Sequence, residues 1–409
     1  MFRGLFDFRN QKLILRWEIL SSVFFFFIIS LLILYNQSDN TQFVTSSFYK
    51  QILWFCIGFF VFIIVQFIKV QYLYDYSYFL YLLLFALLLS TILSPERGGA
   101  QSWIILGPFS FQPSEVGKII YTVFLARFFT DFAEKKDLSW YFLFMLILLL
   151  LPAIIVAKQP DLGTAMIYLS IIMPMLFWSG FSRGLILLLI FPVVSLVAVS
   201  NLMLFYIWMI ICIVILFYVR DSLLTSFTNI GLNLISGIAS PYIFWNVLNN
   251  EQRERILTTI NPYLSPLKDG YQVIQSMISI GSGGALGKGL GQGTQTHLRF
   301  LPVRDTDFII SVISEEMGFI AILFILVALI WFIYWCFEYA VKIENKFASL
   351  LLIGSCTIIF MHFIINMGMV AGLLPVTGLP VPFISYGGTF FLTCSILLGL
   401  INNIINNYI

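Results

Sequence analysis

Twelve apolar stretches, each close to the length of a bilayer-spanning helix, follow one another along the 409 residues, separated by short polar breaks and one long one. A span needs about 20 mostly apolar residues. Segments near 17–35, 51–68, 76–93, 113–130, 138–157, 162–179, 184–200, 202–219, 224–248, 308–335, 349–373 and 383–402 come close to that length. The segment 224–248 is the weakest, because Asn229, Asn233 and Pro241 interrupt it, so ten to twelve spans are expected. Apolar residues make up 60% of the chain and charged ones 10%. A soluble domain of that composition would expose apolar patches well beyond the few hundred Å² that a monomer tolerates, whereas in a bilayer the outward faces can be apolar too. The expectation is an all-α polytopic membrane protein, one membrane domain over residues 1–409.

Lysine and arginine placement orients such a chain. With the N-terminus cytoplasmic, the short inner segments hold Arg3, Arg9, Lys12, Arg16, Lys69, Lys135, Lys136, Arg183, Arg220, Lys342 and Lys346, against Lys50, Arg97 and Lys158 outside. Eleven against three puts one long loop, about 249–307, outside the cytoplasm, with six basic and five acidic residues of its own. The first apolar stretch has the length of a full span and lacks a small-residue cleavage site, so no cleavable leader is expected. A net charge of +2 points to neither nucleic acid nor an acidic partner. Cys56, Cys212, Cys336, Cys356 and Cys394 lie in apolar runs without a CxxC, the pattern of packing residues rather than of a metal or redox site.

Ionisable residues inside spans are functional candidates. Glu115 and Lys118 are three apart, as are Lys158 and Asp161; Glu315 and Glu316 open the span after the long loop, and His362 and Asn366 are four apart on the next. Interhelical hydrogen bonding is the competing explanation for each, above all for His362. Within the loop, residues 281–293 read GSGGALGKGLGQG, seven glycines in thirteen positions. A nucleotide-phosphate loop is excluded by spacing, since Ser282 stands where the first glycine belongs and Gly289 where Ser or Thr is required. Backbone approaching a ligand or the membrane surface, or plain flexibility, remain as readings. Asp307 closes the loop where a helix begins. It can serve as an N-terminal helix charge, but Asp305 and Thr306 are as well placed for that. A carboxylate at the rim of a membrane cavity, near Arg253, Arg255, Arg299 and Arg304, also suits general-base chemistry beside a phosphate leaving group.

Four longer motifs carry a resemblance. Arg97-Gly-Gly-Ala-Gln-Ser-Trp103 with Gly107-Pro-Phe-Ser-Phe-Gln-Pro-Ser-Glu-Val-Gly-Lys118 is similar to the first signature of the SEDS (shape, elongation, division and sporulation) family, and Lys158-Gln-Pro-Asp-Leu-Gly-Thr164 to the second. Asp269-Gly-Tyr-Gln-Val-Ile-Gln-Ser276, the glycine run and Thr306-Asp-Phe-Ile309 resemble the third; Leu374-Pro-Val-Thr-Gly-Leu-Pro-Val-Pro-Phe-Ile-Ser-Tyr-Gly-Gly388 resembles the fourth. They run in family order from 97 to 388, and several look more like the RodA branch than the FtsW branch.

The resemblance implies a peptidoglycan glycosyltransferase of the bacterial cytoplasmic membrane, serving cell elongation and shape by polymerising lipid II, an undecaprenyl-pyrophosphate disaccharide peptide. An acceptor sugar hydroxyl would attack the donor anomeric carbon with inversion. Asp307 corresponds to the family's essential aspartate. Trp103, Glu115, Lys118, Lys158, Asp161 and Glu315 fall at or beside cavity and loop positions expected to face substrate, and Arg253 and Arg255 would hold pyrophosphate. A class B penicillin-binding protein is the implied partner. No ligand spacing for a metal is present, although a divalent cation carried by the pyrophosphate would leave no sequence signature. Three departures stand out. The usual Asp-Pro-x-Gly-x-Gly-Tyr is reduced to Pro266-Leu-Lys-Asp-Gly-Tyr271. Asp305 replaces a histidine, so like-charge proximity is expected to raise one carboxylate's pKa. Residues 181–250 hold three spans where ten-span relatives have one. A lipid II flippase and a non-catalytic scaffold for a partner synthase are the alternatives.

Overall fold

The structure, a computed structural model, describes residues 14–37, 46–91, 102–106, 109–132, 140–199, 201–219, 222–266, 269–297, 300–301 and 303–409. Arg3, Arg9, Lys12, Arg97, Lys135, Lys136, Arg220 and Arg299 lie outside the described residues, as does the 97–101 part of the first motif.

Each of the twelve expected stretches coincides with a helix: α1 Trp17–Gln37, α2 Ser47–Gln66, α3 Val70–Ser90, α4 Pro113–Phe132, α5 Trp140–Lys158, α6 Leu162–Trp178, α7 Arg183–Ala198, α8 Leu202–Val219 and α9 Leu223–Tyr242. Short helices α10 Asn250–Ile260, α11 Asp269–Gly283 and α12 Thr294–His297 follow, then α13 Ile309–Lys342, α14 Lys346–Val370 and α15 Gly388–Tyr408. Among the described residues, eight helices are long and apolar enough to cross a membrane. α4 carries Glu115, Lys118, Arg127 and Asp131, and α6 and α7, of 17 and 16 residues, are shorter. Among the described residues, one antiparallel hairpin, β1 Ile104–Leu106 with β2 Phe109–Phe111, leads into α4.

α14 is the axis of the bundle, packed by α4, α6, α11, α13 and α15, and it is apolar almost all round, as a helix enclosed by others must be. α8 lies at the periphery with one narrow buried strip. α7, α8 and α9 share a small apolar cluster of Phe191, Cys212 and Leu216 beside a polar ladder. There Trp208 donates to Ser195, and Ser195 to Asn233. The asparagines that weaken 224–248 as a span are therefore the interhelical bonds of this sub-bundle.

The long loop departs most from expectation. α11 packs along α13, and the glycine-rich turn after it fills a break in α13 at Gly318 (φ 76°, ψ −176°). Lys288 and Gly289 donate to the carbonyls of Glu315 and Glu316 at 2.9 and 3.0 Å, and Phe319 and Ile320 donate to Gly284 and Ala285 at 2.9 and 3.1 Å. Backbone groups freed by the break are thus paired by the loop, as a low-dielectric setting demands. The glycines are needed because the two backbones touch: a Cβ on Gly287 would lie 2.2 Å from the Glu316 carbonyl oxygen.

Candidate active site

Four segments, one from each sequence motif, converge around α14. The first two turns of α4 place Glu115 and Lys118 on one face. Lys118 Nζ donates to Glu115 Oε1 at 2.8 Å and lies 2.9 Å from His362 Nε2 on α14. His362 Nδ1 lies 3.1 Å from the Pro380 carbonyl. A carbonyl can only accept, so Nδ1 carries the proton and Nε2 accepts from Lys118. All three side chains are buried. The lysine's cation also sits 5.5 Å from the Phe390 ring centroid, on the electron-rich face.

The second motif turns the corner between α5 and α6. Asp161 caps α6, accepting from the Thr164 N–H at 3.0 Å and from Gln112 Nε2 at 2.9 Å. It is held by these donors and not by Lys158, which is exposed three residues away. Burial pushes the Asp161 carboxyl up, against the Thr164 hydrogen bonds and the charges of Lys118 and Arg255. Gly163 allows the start of α6 to meet the fourth motif, since a Cβ there would lie 2.9 Å from the Thr377 carbonyl oxygen.

Asp307 stands just before α13. Asn366, one turn along α14 from His362, donates through Nδ2 to the Asp307 main-chain carbonyl at 2.8 Å and to the Leu379 carbonyl at 2.6 Å. Gly378 (φ 67°) faces the carboxylate; a Cβ there would lie 3.4 Å from Oδ2. Asp307 keeps part of its surface open yet lies deep among protein atoms. This burial pushes its pKa up to about 6, against the Thr306 hydroxyl and the Arg255 guanidinium. The cause is therefore burial rather than like-charge proximity to Asp305, which is turned to Ser47 and Arg304.

The expected binding residues divide on this geometry. Arg255 reaches the Val376 carbonyl and acts electrostatically on both Asp161 and Asp307. Arg253, two residues away on α10, instead donates to the Leu248 carbonyl and covers the Trp245 ring. Glu315 is fully engaged by its own loop: it accepts from Lys288, from Thr294, from the Gln295 N–H and from both the N–H and hydroxyl of Thr296. In this structure Arg253 Nε and Nη2 are engaged by the Leu248 carbonyl and both Glu315 carboxylate oxygens by the loop. Trp103 is half-buried just ahead of the hairpin. The sequence marks His362 and Asn366 as polar residues in an apolar helix without indicating what they hold. Among the described residues, no group of three or more His, Cys, Asp or Glu side chains is arranged to hold a metal ion.

The family model of the cell cycle proteins FtsW, RodA and SpoVE matches residues 11–207 and 183–408. The chain belongs to this family. It is 32% identical to the peptidoglycan glycosyltransferase RodA of Treponema pallidum (strain Nichols), over 98% of each chain. With the peptidoglycan glycosyltransferase MrdB of Escherichia coli (strain K12) it shares 33% identity over 75% of this chain and 71% of that one. Among solved structures, a chain from a peptidoglycan synthase complex aligns over 97% of this chain and 99% of its own with TM-score 0.72 and 24% identity. The RodA of Thermus thermophilus aligns over 98% of both chains with TM-score 0.61 and 21% identity. These likenesses show the fold, a multi-pass membrane bundle.

Proposed function

We propose that this chain is a peptidoglycan glycosyltransferase that polymerises lipid II at the outer face of the bacterial cytoplasmic membrane. Family membership and the 32–33% identity to named peptidoglycan glycosyltransferases support the activity. The single observation that carries the site is Asp307, a carboxylate at the end of the polar loop, poised near neutral pH by burial and facing Arg255. A base works best with a pKa close to the operating pH.

In this reading Asp307 takes the proton of the acceptor sugar hydroxyl as its oxygen bonds to the donor anomeric carbon with inversion. The bond from that carbon to the pyrophosphate oxygen breaks, and undecaprenyl pyrophosphate leaves with the electron pair. Arg255 and Lys118 lower the energy of the charge gathering on the pyrophosphate. Asp161, Glu115 and Gln112 order these cations, and Trp103 borders the donor's approach. Any divalent cation would enter on the pyrophosphate itself; chelation during the assay tests that role. A class B penicillin-binding protein would cross-link the product. The break in α13 gives no support to a flippase, because the glycine-rich turn fills it instead of leaving a ligand cavity.

Purified protein with labelled lipid II, with and without a class B penicillin-binding protein, should yield glycan ladders on a gel. No polymer under either condition would sink the reading in favour of transport or scaffolding. The orientation, N-terminus inside, predicts that a reporter fused after Gly293 reads as external and one after Lys342 as cytoplasmic; the reverse at either position moves the site to the wrong side.

A further inference from the structure

Asn366 is buried on the central helix and gives both of its amide hydrogens away: one to the main-chain carbonyl of Asp307, one to that of Leu379. Its own Oδ1 is buried with no partner. The amide cannot be turned over to relieve this, since both targets are acceptors and only Nδ2 can donate. Leaving a buried acceptor unpaired is costly. The arrangement is poor as plain interhelical glue. It does fix one quantity: where the Asp307 backbone lies relative to the loop that carries Gly378 and Pro380. One turn earlier, His362 ties the same loop, through Pro380, to the buried Lys118–Glu115 pair.

We propose that Asn366 is a positioning residue for the glycosyl transfer, and that with His362 it forms a two-point clamp on α14 setting the Asp307 carboxylate against the Lys118 cation. The inference rests on the reading of Asp307 as the base. Neither residue of the clamp touches substrate; each acts through a main-chain carbonyl of a loop that does. The charge that acts on Asp307 from another element is Arg255 on α10. Arg304 and Asp305 pair within its own segment, and Lys118 and Glu115 on α4 stand at the far end of the clamp, bonded to His362 and to each other. Loosening the clamp would let water reach Asp307 and return its pKa toward the ordinary carboxylate range.

The test replaces Asn366 with leucine, which keeps the volume and removes the unpaired oxygen together with both donated bonds, and separately with alanine. Polymerisation of labelled lipid II is followed across pH with the full-length protein and its partner synthase. For variants that purify monodisperse with an unfolding temperature at or above wild type, kcat should fall about a hundredfold, the scale of an ångström's misplacement. KM should hold, and the acid limb of the profile should move to lower pH. A leucine variant with wild-type kcat and an unmoved limb overturns the clamp, and so does the failure of both variants to fold, which would make Asn366 purely structural. An inactive wild type would instead sink the glycosyltransferase reading itself.

Discussion

The Ser47 hydroxyl donates to Asp305 Oδ2 at 2.6 Å, tying the first turn of α2 to the segment that carries Asp307. An acid is well placed there, because the N-terminus of a helix favours negative charge. The main chain of the same residue accepts from the Tyr386 N–H at 2.9 Å, so the segment is anchored on two sides. Asp305→Asn should therefore keep the Ser47 bond and most of the polymerase activity. Asp305→His should be tolerated, with a ring nitrogen accepting from Ser47. Ser47→Ala should lower stability by about 1 kcal/mol, the worth of one hydrogen bond, without loss of product. Gel-based polymerisation and thermal unfolding report both. A loss at Asp305→Asn equal to that at Asp307→Asn would show that the two acids share the proton.

Asp307→Asn keeps shape and hydrogen bonding but cannot take a proton. Loss of a general base costs about 10²–10⁴-fold in rate, so no ladder should appear while partner binding survives. In the wild type, activity should rise with pH through about 6, as the buried carboxylate ionises. The effect on stability has the opposite sign. A carboxyl raised from 3.8 to about 6 binds its proton more tightly when folded, so between those values stability falls as pH rises. Above pH 6 the ionised Asp307 costs up to about 3 kcal/mol, and the asparagine variant should melt higher than wild type there and equally at pH 4. An active variant, or one that melts lower at pH 7.5, contradicts the assignment.

What the sequence made legible follows from where the information is local. Apolar runs of bilayer length mark every long helix, even 224–248, whose asparagines turn out to be interhelical bonds. The convergence of motifs is not local. Nothing in the spacing of Gln112 and Asp161, or of Asn366 and Leu379, says that they meet, because only the packing around α14 brings them together. Glu315 is another case. A carboxylate in an apolar helix reads as a site residue, and nothing in its spacing says that Lys288, Thr294, Gln295 and Thr296 all bond to it. The glycine run, open to several explanations in sequence, exists because two backbones must touch at Gly318.

Glu115 and Lys118 separate folding from chemistry. Lys118→Met alone leaves a buried carboxylate without its cation and His362 Nε2 without its donor, and should destabilise by about 3–5 kcal/mol. Changing both, Glu115→Gln with Lys118→Met, removes the uncompensated charge and should restore folded yield and melting temperature to near wild type. If Lys118 acts on the pyrophosphate as proposed, the double variant should nonetheless make no glycan. A folded double variant that polymerises lipid II at the wild-type rate reduces the pair to interhelical glue.

The glycine-rich turn gives a sharp contrast between neighbours of identical type. Gly287 has φ 78°, and a Cβ there would lie 2.2 Å from the Glu316 carbonyl oxygen and 2.6 Å from the Met317 nitrogen. Neither is a side chain that can swing away. Gly281, at the start of the run, has no atom within 4 Å of the same added carbon. Gly287→Ala must therefore push the turn out of the break in α13, exposing the carbonyls of Glu315 and Glu316, and should cost more than about 3 kcal/mol through strain and lost buried hydrogen bonds. Gly281→Ala lies within a helix turn and should be neutral or stabilising by a few tenths to about 1 kcal/mol. Thermal unfolding of the two purified variants in detergent reads the difference. Equal melting temperatures would mean that the turn does not plug the break, and that the glycines serve flexibility after all.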